Sequence, residues 1–302
     1  MVVGADAKLS GVIWDEVGDG CFRRRYPAFD LNIGVVRGSE ALLVIDTRAD
    51  LRQADELLDD LRIFGRPVRW VVNSHWHFDH TFGNQRFVER ARGRASHAGA
   101  VEVAAELELW GHADLPGALL GNEAELRASL RDFYGDEAGD EYDRVTLTPP
   151  DRLVVDRQLL DIGDGAVELI HLGRGHTNND LVVVAPDAAV VFAGDLLEQS
   201  APPAYGDDCY PLAWPTTVDA LLGIGAPTFV PGHGDVMTAS AAAEQSRAIA
   251  IVAELIRELH AAGVDVGDAL MEASDRWPFP PDRLVHAVER GYATLTLDGG
   301  ET

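Results

Sequence analysis

Three histidines and an aspartate fall within six residues of the run Ser74-His75-Trp76-His77-Phe78-Asp79-His80. Neutral imidazole and carboxylate are the usual ligands of zinc and similar borderline ions, so the composition of this stretch points to a metal site. His75 and His77 are two apart and share one side of an extended segment. Asp79 and His80 follow at once, where the chain must turn. Four ligands this close do not suit one tetrahedral ion, because each needs its own approach angle. A split between two ions fits better.

Three more ligand-type residues sit in the same kind of place. His176 stands in Gly173-Arg174-Gly175-His176-Thr177, Asp195 follows Gly194, and His233 stands in Pro231-Gly232-His233-Gly234. Each follows an apolar run and has glycine beside it to permit a tight turn. Any one of these histidines alone would read as structural. Together the runs would deliver His75, His77, Asp79, His80, His176, Asp195 and His233 to one edge of a sheet system. A carboxylate has two oxygens, so Asp195 is free to bridge two ions.

The elements that must position them follow from the pattern. Val12–Trp14, Cys21–Arg23, Leu31–Val36 and Ala41–Ile45 read as short strands between Gly and Asp turns. Asp50–Phe64 carries a helical stripe of Leu51, Leu57, Leu58, Leu61 and Phe64, and Val68–Val72 is the next strand. The histidine-rich run therefore follows the C-terminal end of a strand in a βα unit, the edge where α/β proteins collect ligands. Ala98–Arg144 holds twelve acidic residues against three arginines and reads as a mostly helical insertion with a solvated face. The β pattern returns at Leu153–Val155, Ala166–Ile170, Leu181–Val184 and Ala189–Phe192. A Pro, Gly and Asp-rich loop spans Gln199–Pro215, a short helix Thr216–Gly223, and a last strand Thr228–Val230. Helices are expected at Ala239–Ala262, Val266–Ser274 and Pro281–Tyr292. The fold class is α/β, and the two β-rich stretches suggest two similar halves stacked face to face.

From about Asn32 to Val236 the chain resembles the metallo-β-lactamase superfamily. The family's His-x-His-x-Asp-His is here His75, His77, Asp79 and His80. Its Gly-His-Thr, Gly-Asp and Pro-Gly-His elements supply His176, Asp195 and His233. The resemblance implies a four-layer αββα sandwich over residues 1–238, with the 98–144 insertion inside it and a C-terminal helical extension at 239–302. It implies His75, His77 and His176 on one ion, Asp79, His80 and His233 on a second, and Asp195 between them. The ions would be divalent, zinc first, with iron or manganese as alternatives. The best-known lactamases place a cysteine where Asp195 stands. Asp195 instead resembles the glyoxalase-II, lactonase and general metallo-hydrolase branches, and His77 argues against the flavodiiron branch. The C-terminal helices carry Arg247, Arg257, Arg276, Arg283 and Arg290 but no lysine, which weakens the case for a glutathione thioester.

The activity this implies is hydrolysis of an ester, thioester, lactone or lactam bond in a small molecule, by a water activated between two ions. Asp79 and Asp195 are the expected catalytic residues, Asp195 as the bridge and Asp79 as a ligand able to orient the nucleophile and shuttle a proton. The alternative is a single-iron oxidoreductase of the persulfide-dioxygenase type. Retention of all seven positions favours hydrolysis, since that branch does not need Asp79, His80 and His233 as ligands. Asn84, Asn178, Asn179 and above all Asp180 are candidates to hold the outer nitrogens of the histidines. Trp76 and Phe78 should face the core. Tyr205, Tyr210 and Trp214 could wall the pocket. His97, at the end of Arg94–Ser96, stands out among the remaining histidines; His112, His171, His260 and His286 read as structural or surface residues.

Over its 302 residues the formal net charge is −25, and Lys8 is the only lysine. Such a surface repels phosphate backbones and disfavours nucleic acid and anionic membranes as partners. Cys21 and Cys209 have no metal spacing and form no disulfide framework, so free thiols are expected. The N-terminus lacks the basic start and apolar run of a signal peptide, and no stretch reaches the roughly 18 apolar residues of a membrane span. The expected location is cytoplasmic. Apolar positions on the C-terminal helices could form a homodimer face.

Overall fold

The computed structural model describes residues 13–93, 101–121, 123–163 and 165–298. Val12, the Arg94–Ser96 segment, His97 and the first residues of the expected insertion lie outside them. The chain opens with β1 (Asp15–Gly18), β2 (Cys21–Tyr26), β3 (Leu31–Arg37) and β4 (Leu42–Ile45). A βα unit follows, with α1 (Leu51–Asp60) and β5 (Val68–Val72). Asp50 caps α1, accepting from the Gln53 amide at 2.7 Å. Next come α2 (Phe78–Thr81), α3 (Asn84–Ala91), β6 (Val103–His112), α4 (Leu115–Gly121), α5 (Glu123–Tyr134) and α6 (Asp136–Asp143). The second half is built from β7 (Arg152–Val154), β8 (Arg157–Asp161), β9 (Ala166–Ile170), β10 (Val182–Ala185) and β11 (Val190–Glu198). It continues through α7 (Trp214–Leu222), β12 (Thr228–His233), β13 (Met237–Thr238), α8 (Ala239–Ala261), α9 (Val266–Glu272) and α10 (Val285–Asp298).

The strands run in the order β7-β6-β5-β4-β3-β12-β11-β10-β9-β8. β3 and β12 touch through one residue pair, Leu31 with His233, so the ladder is two sheets joined at a corner. Alternation along the strands assigns the layers. On β4, Leu43 and Ile45 face inward, where they meet Trp70 and Val72 of β5 and Val183, Phe192 and Val230 of the other sheet. Leu42 and Val44 face outward onto Leu57, Leu58 and Leu61 of the α1 segment and Phe87 of α3. On the second sheet Val182, Val184, Val191 and Ala193 face outward onto Trp214, Val218, Ile249, Val252 and Ile256 of α7 and α8. This is the four-layer αββα arrangement.

Gly34 lies on β3 under the Phe192 ring of β11. A Cβ there would meet the Phe192 ring at 2.7 Å and Ile45 Cδ1 at 2.9 Å. We expect Gly34→Ala to cost about 1–3 kcal/mol by overpacking, read as a lower midpoint in urea unfolding.

Three expectations need correction. Ile13 and Trp14 are not strand; β1 begins at Asp15, and Trp14 packs edge-on against Phe64 at 5.2 Å. The segment read as a helical insertion opens with the ten-residue strand β6, and only α4 to α6 are helical. The alternation Glu106-Leu107-Glu108-Leu109 carries the strand period, outweighed in the reading by the acidic composition. β8 went unread because Arg157, Leu159 and Asp161 turn outward and leave few apolar positions. Both cysteines are buried and unpaired, and burial pushes each thiol up to about 12.

Candidate metal centre

The seven side chains converge from separate elements of the fold. β5 hands the chain to Asn73 and Ser74, and His75 and His77 follow. Asp79 and His80 lie on α2, whose four residues make the turn. His176 follows β9, and His233 is the last residue of β12. Asp195 lies inside β11, which continues to Glu198, not beyond the strand end as expected. Gly232 on the neighbouring strand is required there, since a Cβ would come within 1.8 Å of Asp195 Oδ1.

Two sets of three emerge: His75, His77 and His176, and Asp79, His80 and His233. Asp195 stands between them. Its Oδ2 is 3.9 Å from His75 Nε2, 3.5 Å from His176 Nε2 and 3.3 Å from His233 Nε2, while Oδ1 is 3.4 Å from His80 Nε2. Asp79 Oδ2 lies 3.6 Å from His80 Nε2 and 3.5 Å from His233 Nε2. His75 Nε2, His80 Nε2 and Asp195 Oδ1 are buried and have no hydrogen-bond partner within the protein. Orphaned buried polar atoms are costly, and three aimed at one space fit a bound cation.

The outer nitrogens fix the tautomers. His80 Nδ1 donates to Asp46 Oδ2 at 2.8 Å, His176 Nδ1 to the Ala204 carbonyl at 2.9 Å and His233 Nδ1 to the Phe29 carbonyl at 2.7 Å. Ser74 Oγ donates to Asp46 at 2.8 Å, so it accepts from His75 Nδ1 at 3.0 Å. In their neutral form these four rings would turn a bare Nε2 inward, and in His80 and His233 a metal ion would take the place of the Nε2 proton. His77 is reversed: Nε2 faces Asp208 Oδ2 at 3.3 Å, and Nδ1 points in, 2.8 Å from His176 Nε2. Such partners orient metal-binding imidazoles and raise their basicity.

Asp46, Ser74 and Asp208 are the residues the sequence reading missed. The four residues it proposed for this role do other work. Asp180 accepts from the Thr177 amide and hydroxyl, closing the turn behind His176. Asn179 bonds Asn178, and Asn84 bonds Asn73 and Thr47. Trp76 is not plain core packing: its Nε1 donates to Asp208 Oδ2 at 2.7 Å and so steadies the partner of His77. Trp214 and Tyr205 pack on each other behind His176, their ring centroids 4.8 Å apart. Glu198 also joins the edge of the cluster, beside Asp195 and His233. A register break between Gly194 and Glu198 brings it there, which no strand period could reveal.

The electrostatics match a site built for positive charge. Burial pulls His80 down, but Asp79, Asp195 and Asp46 overcome it and lift the ring to about 9. His233 is raised well above its ordinary value: Asp195, its hydrogen bond and Asp79 outweigh burial. Burial lowers His75 strongly, assisted by His80, and lowers His176 to about 4, assisted by His77. Burial would raise Asp195, yet His233, His80 and His75 hold it well below the carboxylate range. The carboxylates thus demand cations in their midst.

Asp208→Asn is expected to weaken metal binding at the His75–His77–His176 position by about 10–100-fold, because His77 loses its charged partner. Competition for zinc against a chromophoric chelator measures this; an unchanged affinity would remove Asp208 from the account.

The Metallo-beta-lactamase superfamily matches the chain over residues 27–247, well over half its length. The protein belongs to that superfamily. Among curated relatives it is 23% identical over 226 residues to a linear primary-alkylsulfatase of Pseudomonas sp., covering 66% of this chain and 40% of that one. It is 27% identical over 210 residues to acyl-coenzyme A thioesterase MBLAC2 of Bos taurus, covering 63% of this chain and 68% of the relative. The chain therefore spans less than half of the alkylsulfatase. Among solved structures, the sec-alkylsulfatase Pisa1 from Pseudomonas sp. superposes with a TM-score of 0.71 at 17% identity, covering 92% of this chain and 50% of that one. That likeness is one of fold. No helix among the described residues is long and apolar enough to cross a membrane.

Proposed function

We propose that the protein is a binuclear metal-dependent hydrolase, zinc being the expected ion, acting on an ester, thioester, lactone or lactam bond of a small molecule. One observation carries this reading: two ligand sets share Asp195, and the buried atoms facing the space between them are unsatisfied. Bound there, a metal pair supplies an activated water near neutral pH and polarises the scissile group.

The protein's part is to hold this geometry and shape access. His75, His80 and His176 form a floor whose side chains are at most 2% exposed. His77, at 23%, and His233, at 12%, form the rim, so substrate enters from their side. Asp79 Oδ2 lies on that rim, within reach of the second set, where it can orient a nucleophile and pass a proton to the leaving group. Asp208 balances His77 on the rim and Asp46 balances His80 on the floor, so both rings stay fixed while charge develops. The thioesterase and alkylsulfatase relatives widen the substrate panel to thioesters and sulfate esters.

The test is a hydrolysis screen of zinc-loaded protein on lactams, lactones, thioesters, phosphodiesters and sulfate esters. Turnover abolished by a chelator and restored by zinc supports the reading. Loaded protein inert on the whole panel would overturn it.

A further inference from the structure

A ladder of aromatic rings rises from the core to the rim of the metal centre. Its buried base is Phe82 and Tyr142. Phe78 stands on them, at 5.9 Å from Phe82 and 5.3 Å from Tyr142. Phe29 and Tyr134 pack on Phe78 and on each other at 5.3–5.5 Å. Phe133 follows at 4.8 Å from Tyr134.

This ladder is tied to the metal centre at several points. Phe78 lies between His77 and Asp79 in the chain, and the Phe29 carbonyl accepts from His233 Nδ1. Tyr134 reaches the site through Phe78, on which its ring packs at 5.5 Å. Phe29 holds φ 63° and Asp30 φ 58°, a left-handed geometry that non-glycine residues adopt at a cost and that clusters at functional sites. The far end of the ladder is open: Tyr134 is 39% and Phe133 81% exposed, on an insertion otherwise dominated by acidic side chains. An apolar surface continuous with a reactive centre is covered, when substrate is bound, by the part of the substrate joined to the scissile bond.

We infer that Phe29, Phe78, Phe133 and Tyr134 form a subsite for an extended alkyl or aryl group, so that the enzyme selects esters or thioesters carrying an apolar chain. This rests on the hydrolase reading given above. No sequence motif marks the subsite, because its rings come from Phe29, Phe78 and α5, which only the fold brings together.

The test separates the two. Straight-chain carboxylates from butanoate to decanoate are titrated calorimetrically into zinc-loaded protein, which requires no turnover. In parallel, kcat/KM is measured for p-nitrophenyl esters of the same chain lengths. Affinity is expected to rise by up to about fourfold per methylene while the chain lies on the rings. Phe133→Ser and Tyr134→Ala, singly and together, should flatten that slope; Leu297→Ser, an exposed apolar residue on α10, should leave it as it was. Absence of carboxylate binding, a flat series in the native protein, or equal slopes in native and doubly substituted protein would each overturn the subsite. If carboxylates bind with the predicted slope and the whole hydrolysis panel given above is inert, the hydrolase reading fails and the subsite stands.

Discussion

Asp195→Ala is expected to reduce bound zinc to one equivalent or less and to lower hydrolysis by about a thousandfold or more. The reason is geometric. Its two oxygens lie 3.3–3.9 Å from the Nε2 atoms of His75, His80, His176 and His233, so one carboxylate serves both ligand sets. Without it the second set keeps Asp79, His80 and His233, and the first keeps three imidazoles and no carboxylate ligand. Stability should fall both with and without metal. In the presence of a chelator the variant should melt lower, because His80 and His233, both raised by Asp195, lose a buried partner. In zinc, the variant should melt lower than the native protein, because ligand binding stabilises only what it binds. Metal analysis after desalting, run beside the rate assay, measures both effects. Full two-metal occupancy in the variant would show that Asp195 does not bridge.

The second large effect is expected at Asp46. This buried carboxylate accepts from the Ser74 amide at 2.7 Å, the Ser74 hydroxyl at 2.8 Å and His80 Nδ1 at 2.8 Å. Through Ser74 it also fixes His75. One residue therefore orients a histidine of each set. Asp46 sits at φ 66°, a conformation asparagine tolerates better than alanine, so Asp46→Asn is the cleaner substitution. It exchanges an acceptor for a donor inside a closed network. We expect zinc affinity to fall by about 10–100-fold at both positions and the fold to lose about 1–3 kcal/mol. Ser74→Ala should weaken only the His75 position. Zinc titration and urea unfolding of the two variants check this; equal effects from both would contradict the shared role of Asp46.

The contrast between these two residues shows what the sequence makes legible. His75, His77, Asp79, His80, His176, Asp195 and His233 were readable because each breaks an apolar run with a ligand-type side chain, and glycine marks most of the turns. The sheets were readable because Leu42–Ile45 and Val182–Ala185 are buried on both faces, which leaves continuous apolar runs. Asp46 and Asp208 were not readable as partners. Asp46 is 34 residues from His80, and Asp208 is 131 from His77; an aspartate in a turn carries no sign of what it will face. Two of the remaining partners are the Phe29 and Ala204 carbonyls, which any residue type could supply. Asp180 misled because it is close in sequence to His176 yet spends its oxygens on Thr177. β6 was hidden by charge: glutamates on the solvent face of an alternating strand resemble a solvated helix when only composition is weighed.

Metal content and oxygen uptake, measured together on protein reconstituted with zinc or with iron under air, distinguish a binuclear hydrolase from a single-iron oxidoreductase. Close to two zinc ions per chain, turnover of at least one ester or thioester, and no oxygen consumption are expected. One iron per chain with oxygen uptake, and no hydrolysis in either metal form, would contradict a binuclear hydrolase.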